Sequence, residues 1–231
     1  MSDVAFDPDD KIVHGALRPK DAATLILVKL DGEPRVLMGQ RHSGMAFMAG
    51  KFVFPGGRVD PCDQRVPAAN DLRPEVLEKL TFGITPTRAR GLALAAIRET
   101  FEETGVLVGV RSDQCPHTRS SAWARFFAHG VVPKLGTLDF VARAITPPNR
   151  SRRFDARFFM ADASSIAHVL DDAENEELLK PCWLTLPEAR ALDLPSITRR
   201  VLAEVETRLA SGPGPVPFFR FNRGKASLTY L

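Results

Sequence analysis

Gly91-Leu92-Ala93-Leu94-Ala95-Ala96-Ile97-Arg98-Glu99-Thr100-Phe101-Glu102-Glu103-Thr104-Gly105-Val106 reads as a helix with two chemically distinct sides. At about 100° per residue, Arg98, Glu99, Glu102 and Glu103 fall on one side, and Ala93, Leu94, Ile97 and Phe101 on the other. Gly105 suits the left-handed position that closes a helix. Three carboxylates therefore sit in the last two turns, where the helix dipole is already negative. Like charges three and four residues apart cost a further 0.2–0.5 kcal/mol per pair, roughly, and Arg98 offsets only part of that. Such a face serves stability poorly. It makes a good seat for a hard divalent cation, which takes oxygen ligands.

Three glutamates alone fit a solvated helix face better. A second stretch shifts the balance: Phe52-Val53-Phe54-Pro55-Gly56-Gly57-Arg58-Val59-Asp60, an apolar strand running into a Pro-Gly-Gly turn. Together, this turn and Arg98-Glu99-Thr100-Phe101-Glu102-Glu103-Thr104-Gly105-Val106 resemble the signature of the Nudix hydrolases. That signature is a Gly, five residues, a Glu, seven residues, then Arg-Glu-apolar-x-Glu-Glu-x-Gly-apolar. Thr100 holds the apolar slot, and Asp63 holds the place of the first Glu counted from Gly57. The contiguous pattern would put its arginine at position 71, so Arg98 implies 27 inserted residues between Pro61 and about Thr87. A split box of this kind is similar to the branch that includes the peroxisomal coenzyme A diphosphatase. The flanks Arg41-His42, Phe47-Met48, Ile145-Thr146-Pro147-Pro148 and Arg153-Phe154-Asp155-Ala156-Arg157-Phe158-Phe159 extend the likeness over roughly residues 22 to 190.

The resemblance implies an α/β fold, the Nudix α/β/α sandwich, with a mixed sheet between helices and an insertion inside the box. It implies one to three Mg²⁺ or Mn²⁺ ions on Glu99, Glu102 and Glu103, with the Gly57 carbonyl completing a coordination shell. Glu102 and Glu177 are the candidate catalytic acids, Glu174 is the second choice for the later one, and Arg98 orients the acidic side chains. Arg41, Arg58, Arg150, Arg152 and Arg153 are candidate substrate contacts, because a guanidinium fork suits phosphate oxygens; a polar loop at Arg41 and a solvated hairpin tip at the arginine run stay open. Because the insertion begins beside Asp63, the reading predicts that Asp63 is no metal ligand and that Asp63→Asn is mild. The implied reaction is metal-dependent hydrolysis of a diphosphate linkage in a nucleoside diphosphate derivative. Coenzyme A or an acyl-CoA is the preferred substrate. ADP-ribose, a dinucleotide, a nucleotide sugar, or a binding module that has lost its metal are the alternatives. The arginine run is expected to supply cations, with Arg153 on the 3′-phosphate of coenzyme A, and the insertion to wall the pantetheine arm.

Composition sets wide bounds. The chain has 231 residues, 44% hydrophobic and 26% charged, enough for one domain with a proper core. We expect residues 1–231 to form that single domain, with an irregular arm at 1–20, the insertion at 61–87 and a tail at 212–231 of no assignable form. A net charge of +3 is too small to argue for nucleic acid, and suits an anionic small molecule. Cys62, Cys115 and Cys182 have no CxxC spacing and read as free thiols; the acidic start lacks a leader's pattern. A cytoplasmic protein with no membrane partner is expected, and a homodimer is compatible with everything above.

Along the chain, Ala22–Lys29 and Arg35–Arg41 are expected strands around an Asp-Gly turn, and Thr87 an N-cap for the box helix. Strands are expected at Val106–Val110, Leu138–Ile145, Arg157–Ala161 and Cys182–Leu184. Helices are expected around Glu75–Leu80, at Ser120–His129, from Pro187 to Ala191, and at Ser196–Ala210 capped by Ser196. Phe47, Met48, Phe52 and the stripe Trp123, Phe126, Phe127 read as core.

Overall fold

A computed structural model describes residues 17–44, 48–148, 150–170, 177–222 and 225–231. In chain order, β1 (Lys20–Lys29), β2 (Arg35–Arg41), β3 (Phe52–Val53) and β4 (Gly56–Arg58) lead through a 3₁₀ turn at Asp63–Arg65 to α1 (Pro74–Leu80) and α2 (Pro86–Thr104). Then come β5 (Val106–Val108), β6 (Val110–Arg111), α3 (Ser121–Phe127), β7 (Val131–Val132), β8 (Asp139–Ile145), β9 (Phe154–Asp162) and β10 (Ile166–Val169). The chain ends with β11 (Leu178–Thr185), α4 (Leu186–Ala191), α5 (Ser196–Ser211), β12 (Pro217–Asn222) and β13 (Lys225–Tyr230).

The main sheet runs β11-β2-β1-β9-β8-β12-β13, with β3 added on β2 and β4 on β1. It is mixed: β1/β9 and β8/β12 are parallel, and the other pairs antiparallel. Alternation along β1 sends Ala23, Leu25 and Leu27 to one core and Ile26 and Val28 to the other. The first core packs under α1, α2 and α3, the second under α4 and α5. The result is the expected sandwich.

Several details differ from the sequence reading. Thr85, not Thr87, caps α2, accepting from the Arg88 N–H; Pro86 is the first helical residue, where its missing N–H costs nothing. Pro195 rather than Ser196 stands before α5. The Val106–Val110 strand is broken at Gly109, whose added Cβ would lie 2.2 Å from the Val132 carbonyl oxygen. The tail is not formless: β12 and β13 form a hairpin that lengthens the sheet by two strands. The three cysteines are free, as expected. Among the described residues no helix is long and apolar enough to cross a membrane.

The insertion goes to the first core. Val66, Leu72, Val76 and Leu80 are buried there, and Arg73 ties it to the Gly136 carbonyl and the Asp139 carboxylate. It covers the outside of the box helix.

Candidate active site

The Pro-Gly-Gly turn becomes β4, pairing Gly56, Gly57 and Arg58 with Thr24, Ala23 and Ala22 of β1. That pairing presses the turn onto α2. A Cβ on Gly57 would lie 2.4 Å from Glu99 Oε2, and one on Gly56 2.5 Å from the Ala23 carbonyl oxygen. Neither glycine can carry a side chain without displacing backbone or carboxylate. Gly57→Ala should therefore push Glu99 aside and lower kcat/KM about tenfold or more, a barrier change of roughly 1.4 kcal/mol, with little change in the circular dichroism spectrum. A variant with wild-type kinetics would show that this contact is slack.

Arg98 organises the acids. Its Nε and Nη2 donate to the two carboxylate oxygens of Asp63 at 2.9 and 3.0 Å, Nη1 donates to Glu99 at 2.8 Å and Glu102 at 2.6 Å, and Nη2 also reaches the Arg58 carbonyl at 2.9 Å. Burial would depress this guanidinium, but the bond to Asp63 and the charges of Glu99, Asp63 and Glu102 outweigh it and hold Arg98 above its usual range. Asp63 is fully buried and also accepts from Trp123 Nε1 and the Asp60 N–H, both at 2.8 Å. Its oxygens face Arg98, Trp123 and the Asp60 backbone, so its work is to fix Arg98. The structure thereby makes Asp63 costly to change, contrary to the mild substitution expected from sequence.

Glu103 was expected on an open acidic face. It is buried under the glycine turn, accepting from the Gly56 N–H at 2.8 Å. Burial pushes its carboxyl up to about 8, with the Gly56 N–H and Arg41 working against that shift and the charges of Glu99 and Glu177 adding to it. Burial likewise pushes Glu99 up to about 7, Arg98 opposing it. Burial keeps both carboxyls raised although Arg98 lies 2.8 Å from Glu99 and Arg41 acts on Glu103, and a cation placed beside them would favour their ionised forms. Among the described residues no three Asp, Glu, His or Cys side chains are already grouped as a metal site. Arg98 draws Glu99 and Glu102 to itself, and Gly56 draws Glu103.

A cavity of about 460 Å³ opens beside these acids. Of the expected contacts, Arg41, Arg58, Arg152, Glu177, Gly57 and Glu99 line it. Arg150 and Arg153 do not; Arg153 donates instead to the carbonyls of Thr146 and Leu17, which pins the β8–β9 loop. Arg157, four residues further on, is fully buried and paired with Asp21 and Asp155. No described insertion residue lines the cavity, so the expected wall is not there. Met48 faces the cavity rather than the core, whereas Trp123, Phe126 and Phe127 are core. Glu174 and Phe47 lie outside the described residues.

The sequence reading missed Arg200 and Arg220, which line the cavity from α5 and β12 and lie 5.6 Å and 5.1 Å over the rings of Phe219 and Phe218. The Phe-Phe-Arg-Phe run at 218–221 was the local signal for Arg220, and Arg200 had none. Five arginines against two glutamates make the lining cationic, which suits an anionic ligand.

No family model matches the chain. Among solved structures it is similar to a Nudix hydrolase from Alicyclobacillus acidocaldarius, 25% identical, with 85% of this chain and 98% of that one covered and a TM-score of 0.62. It also shares its fold with the Nudix domain of Shewanella oneidensis NrtR, solved in complex with ADP ribose, at 12% identity, 88% and 94% coverage and a TM-score of 0.50.

Proposed function

We propose that the chain, similar to a Nudix hydrolase, hydrolyses the diphosphate linkage of coenzyme A or an acyl-CoA with the help of Mg²⁺ or Mn²⁺. The observation that carries this reading is the meeting of Glu99, Glu103 and the Gly56-Gly57 turn at one end of a cationic cavity with a long apolar extension. The donor set fits a hard divalent ion: the Glu99 and Glu103 carboxylates, both raised by burial, a neighbouring carboxylate at Glu102, and a glycine whose carbonyl approaches without a side chain in the way. Bound there, such an ion would neutralise diphosphate charge and lower the pKa of a coordinated water.

The chain's own residues do the rest. Arg98 is a positioning residue: it holds Glu99 and Glu102 side by side while Asp63 holds it. Arg41 and Arg58 stand beside the acids and take the diphosphate oxygens; Arg152 offers a cation for the 3′-phosphate, the role expected of Arg153. Glu177, close enough to Glu103 to raise it, and Glu102 are the candidates to receive the proton of the attacking water. That water's oxygen bonds to one phosphorus, the bridging P–O bond breaks, and the products are 3′,5′-ADP and a 4′-phosphopantetheine species. The whole chain acts as one domain in this scheme, since its first and last described strands share the sheet that floors the cavity.

The test is a mass-spectrometric screen of diphosphate metabolites with Mg²⁺ and with Mn²⁺. Coenzyme A species should be cleaved fastest, with both phosphate-bearing products present. Faster cleavage of ADP-ribose, a dinucleotide or a nucleotide sugar would sink the substrate assignment. Loss of cleavage on chelation and its return with the ion would support the metal; unchanged rates in excess chelator would remove it.

A further inference from the structure

Arg58, Ala22, Ala156, Ala144, Phe219 and Leu228 are register partners in turn across β4, β1, β9, β8, β12 and β13. Partners in register present their side chains to one face of a sheet, and all six line the cavity. So do residues two places along the same strands, Thr24, Phe158, Phe221 and Ala226, as the strand period requires. Three adjacent alanines in the middle of this row leave a trough between the sheet and the first turn of α5, which reaches over it with Ile197 and Arg200. Strands lie about 4.8 Å apart, so five spacings make a trough about 24 Å long. One end is the glycine turn against Glu99. The other is the outermost strand, where Leu228 is 47% exposed.

The wall carries one sign that a polar group belongs at its active-site end. Arg41 Nε, near the acids, is buried with no hydrogen-bond partner. A buried donor left unsatisfied is costly, and an acceptor on a bound molecule would satisfy it.

We infer that this trough holds an extended, mostly apolar arm of the substrate, laid across the strands, with Phe219 and Leu228 as its terminal contacts. The inference rests on the reading of the chain as a diphosphate hydrolase, and it assigns the C-terminal hairpin, not the box insertion, as the element that selects for the arm. At about 1.2 Å per chain bond, 24 Å takes about 20 bonds. A phosphopantetheine arm spans about 13 bonds from phosphorus to sulfur, which leaves about seven, the thioester S–C bond and about six more of acyl chain. The preferred substrate is then a short- to medium-chain thioester rather than the free thiol.

Binding is read apart from turnover by titration calorimetry with S-propyl, S-hexyl and S-decyl thioethers of coenzyme A on the full chain. Wild type should gain about fourfold in affinity per buried CH₂ up to about six carbons and then level off. Ala144→Leu fills the middle of the trough, and Leu228→Glu puts a charge at its exposed end where folding is not at stake. Both should flatten the dependence on tail length. A wild-type series with no length dependence overturns the inference, as does an undiminished slope in both variants. Hydrolysis of the matching thioesters with Mg²⁺ is measured in parallel. Turnover of none of them, alongside tail-dependent binding, would sink the hydrolase reading and keep the trough; turnover with a flat binding series would do the reverse.

Discussion

Glu103→Gln should abolish turnover and leave the protein at least as stable as before. The side chain is buried and takes one hydrogen bond, from the Gly56 N–H, which the glutamine carbonyl accepts equally well. What the substitution removes is the charge. Burial holds this carboxyl at about 8 in the folded chain, above the roughly 4.3 of a free glutamate. A group raised in this way binds more protons folded than unfolded, so stability falls as pH climbs between those values and the whole cost is present above the folded pKa. Glutamine is free of that cost, and the variant should melt no lower than wild type at pH 8 in chelator. The missing negative charge should show when metal is added: wild type gains thermal stability with Mg²⁺ by mass action, and the variant gains much less. A fall in kcat/KM of about a thousandfold, roughly 4 kcal/mol in the barrier, is expected. Activity within about threefold of wild type, a difference below roughly 0.7 kcal/mol, would remove Glu103 from the metal seat.

The burial of Glu103 depends on the fold around the helix. The helical wheel puts Glu99, Glu102 and Glu103 on a common side, and they are, but it cannot report that β4 then folds over that side. The press of Gly56 and Gly57 on α2 is a contact across more than forty residues of sequence, fixed by β1/β4 register and by the absence of two side chains. The fold class and the box helix with its Gly105 close were legible because they rest on periodicity and local backbone preference, Gly105 having the expected left-handed φ of 70°. The destination of the insertion was not. Val66, Leu72, Val76 and Leu80 fill the core behind α2, and nothing in their spacing says which side of the helix they cover.

The tail was illegible for a related reason. Pro217–Tyr230 contains aromatic and charged residues in a row, and its hairpin acquires meaning only when Phe218 and Phe219 meet Arg143 and Ala144 of β8. Arg153 shows the converse. A cluster of arginines in sequence is scattered by the alternation of a strand and the bend of a loop, so Arg152 faces the cavity while Arg153 binds carbonyls and Arg157 is buried among aspartates. Charge patterning finds the hairpin and cannot choose its working residue.

Asp63→Asn should destabilise the protein by about 3 kcal/mol, within the range found when one partner of a buried ion pair is removed. The carboxylate is fully buried and receives four N–H donors: Arg98 Nε and Trp123 Nε1 on Oδ1, Arg98 Nη2 and the Asp60 N–H on Oδ2. Asparagine offers one oxygen and one NH₂ group, so in either orientation an amide N–H faces two other donors. Arg98 cannot simply turn to water, being 6% exposed, and its remaining partners are the Arg58 carbonyl and the two acids proposed to seat the metal, Glu99 and Glu102. The variant thus confronts Arg98 with a choice. If it stays, a buried charge loses its main counterion; if it swings further onto Glu99 and Glu102, it competes for them. Either outcome lowers kcat/KM, by tenfold or more, and raises the divalent-metal concentration needed for half-maximal rate. A denaturant midpoint lowered at unchanged slope, together with that shift in metal requirement, is the result to look for. Stability within about 0.5 kcal/mol of wild type, the range of ordinary surface substitutions, would show that the Asp63–Arg98 pair does not hold the acids in place.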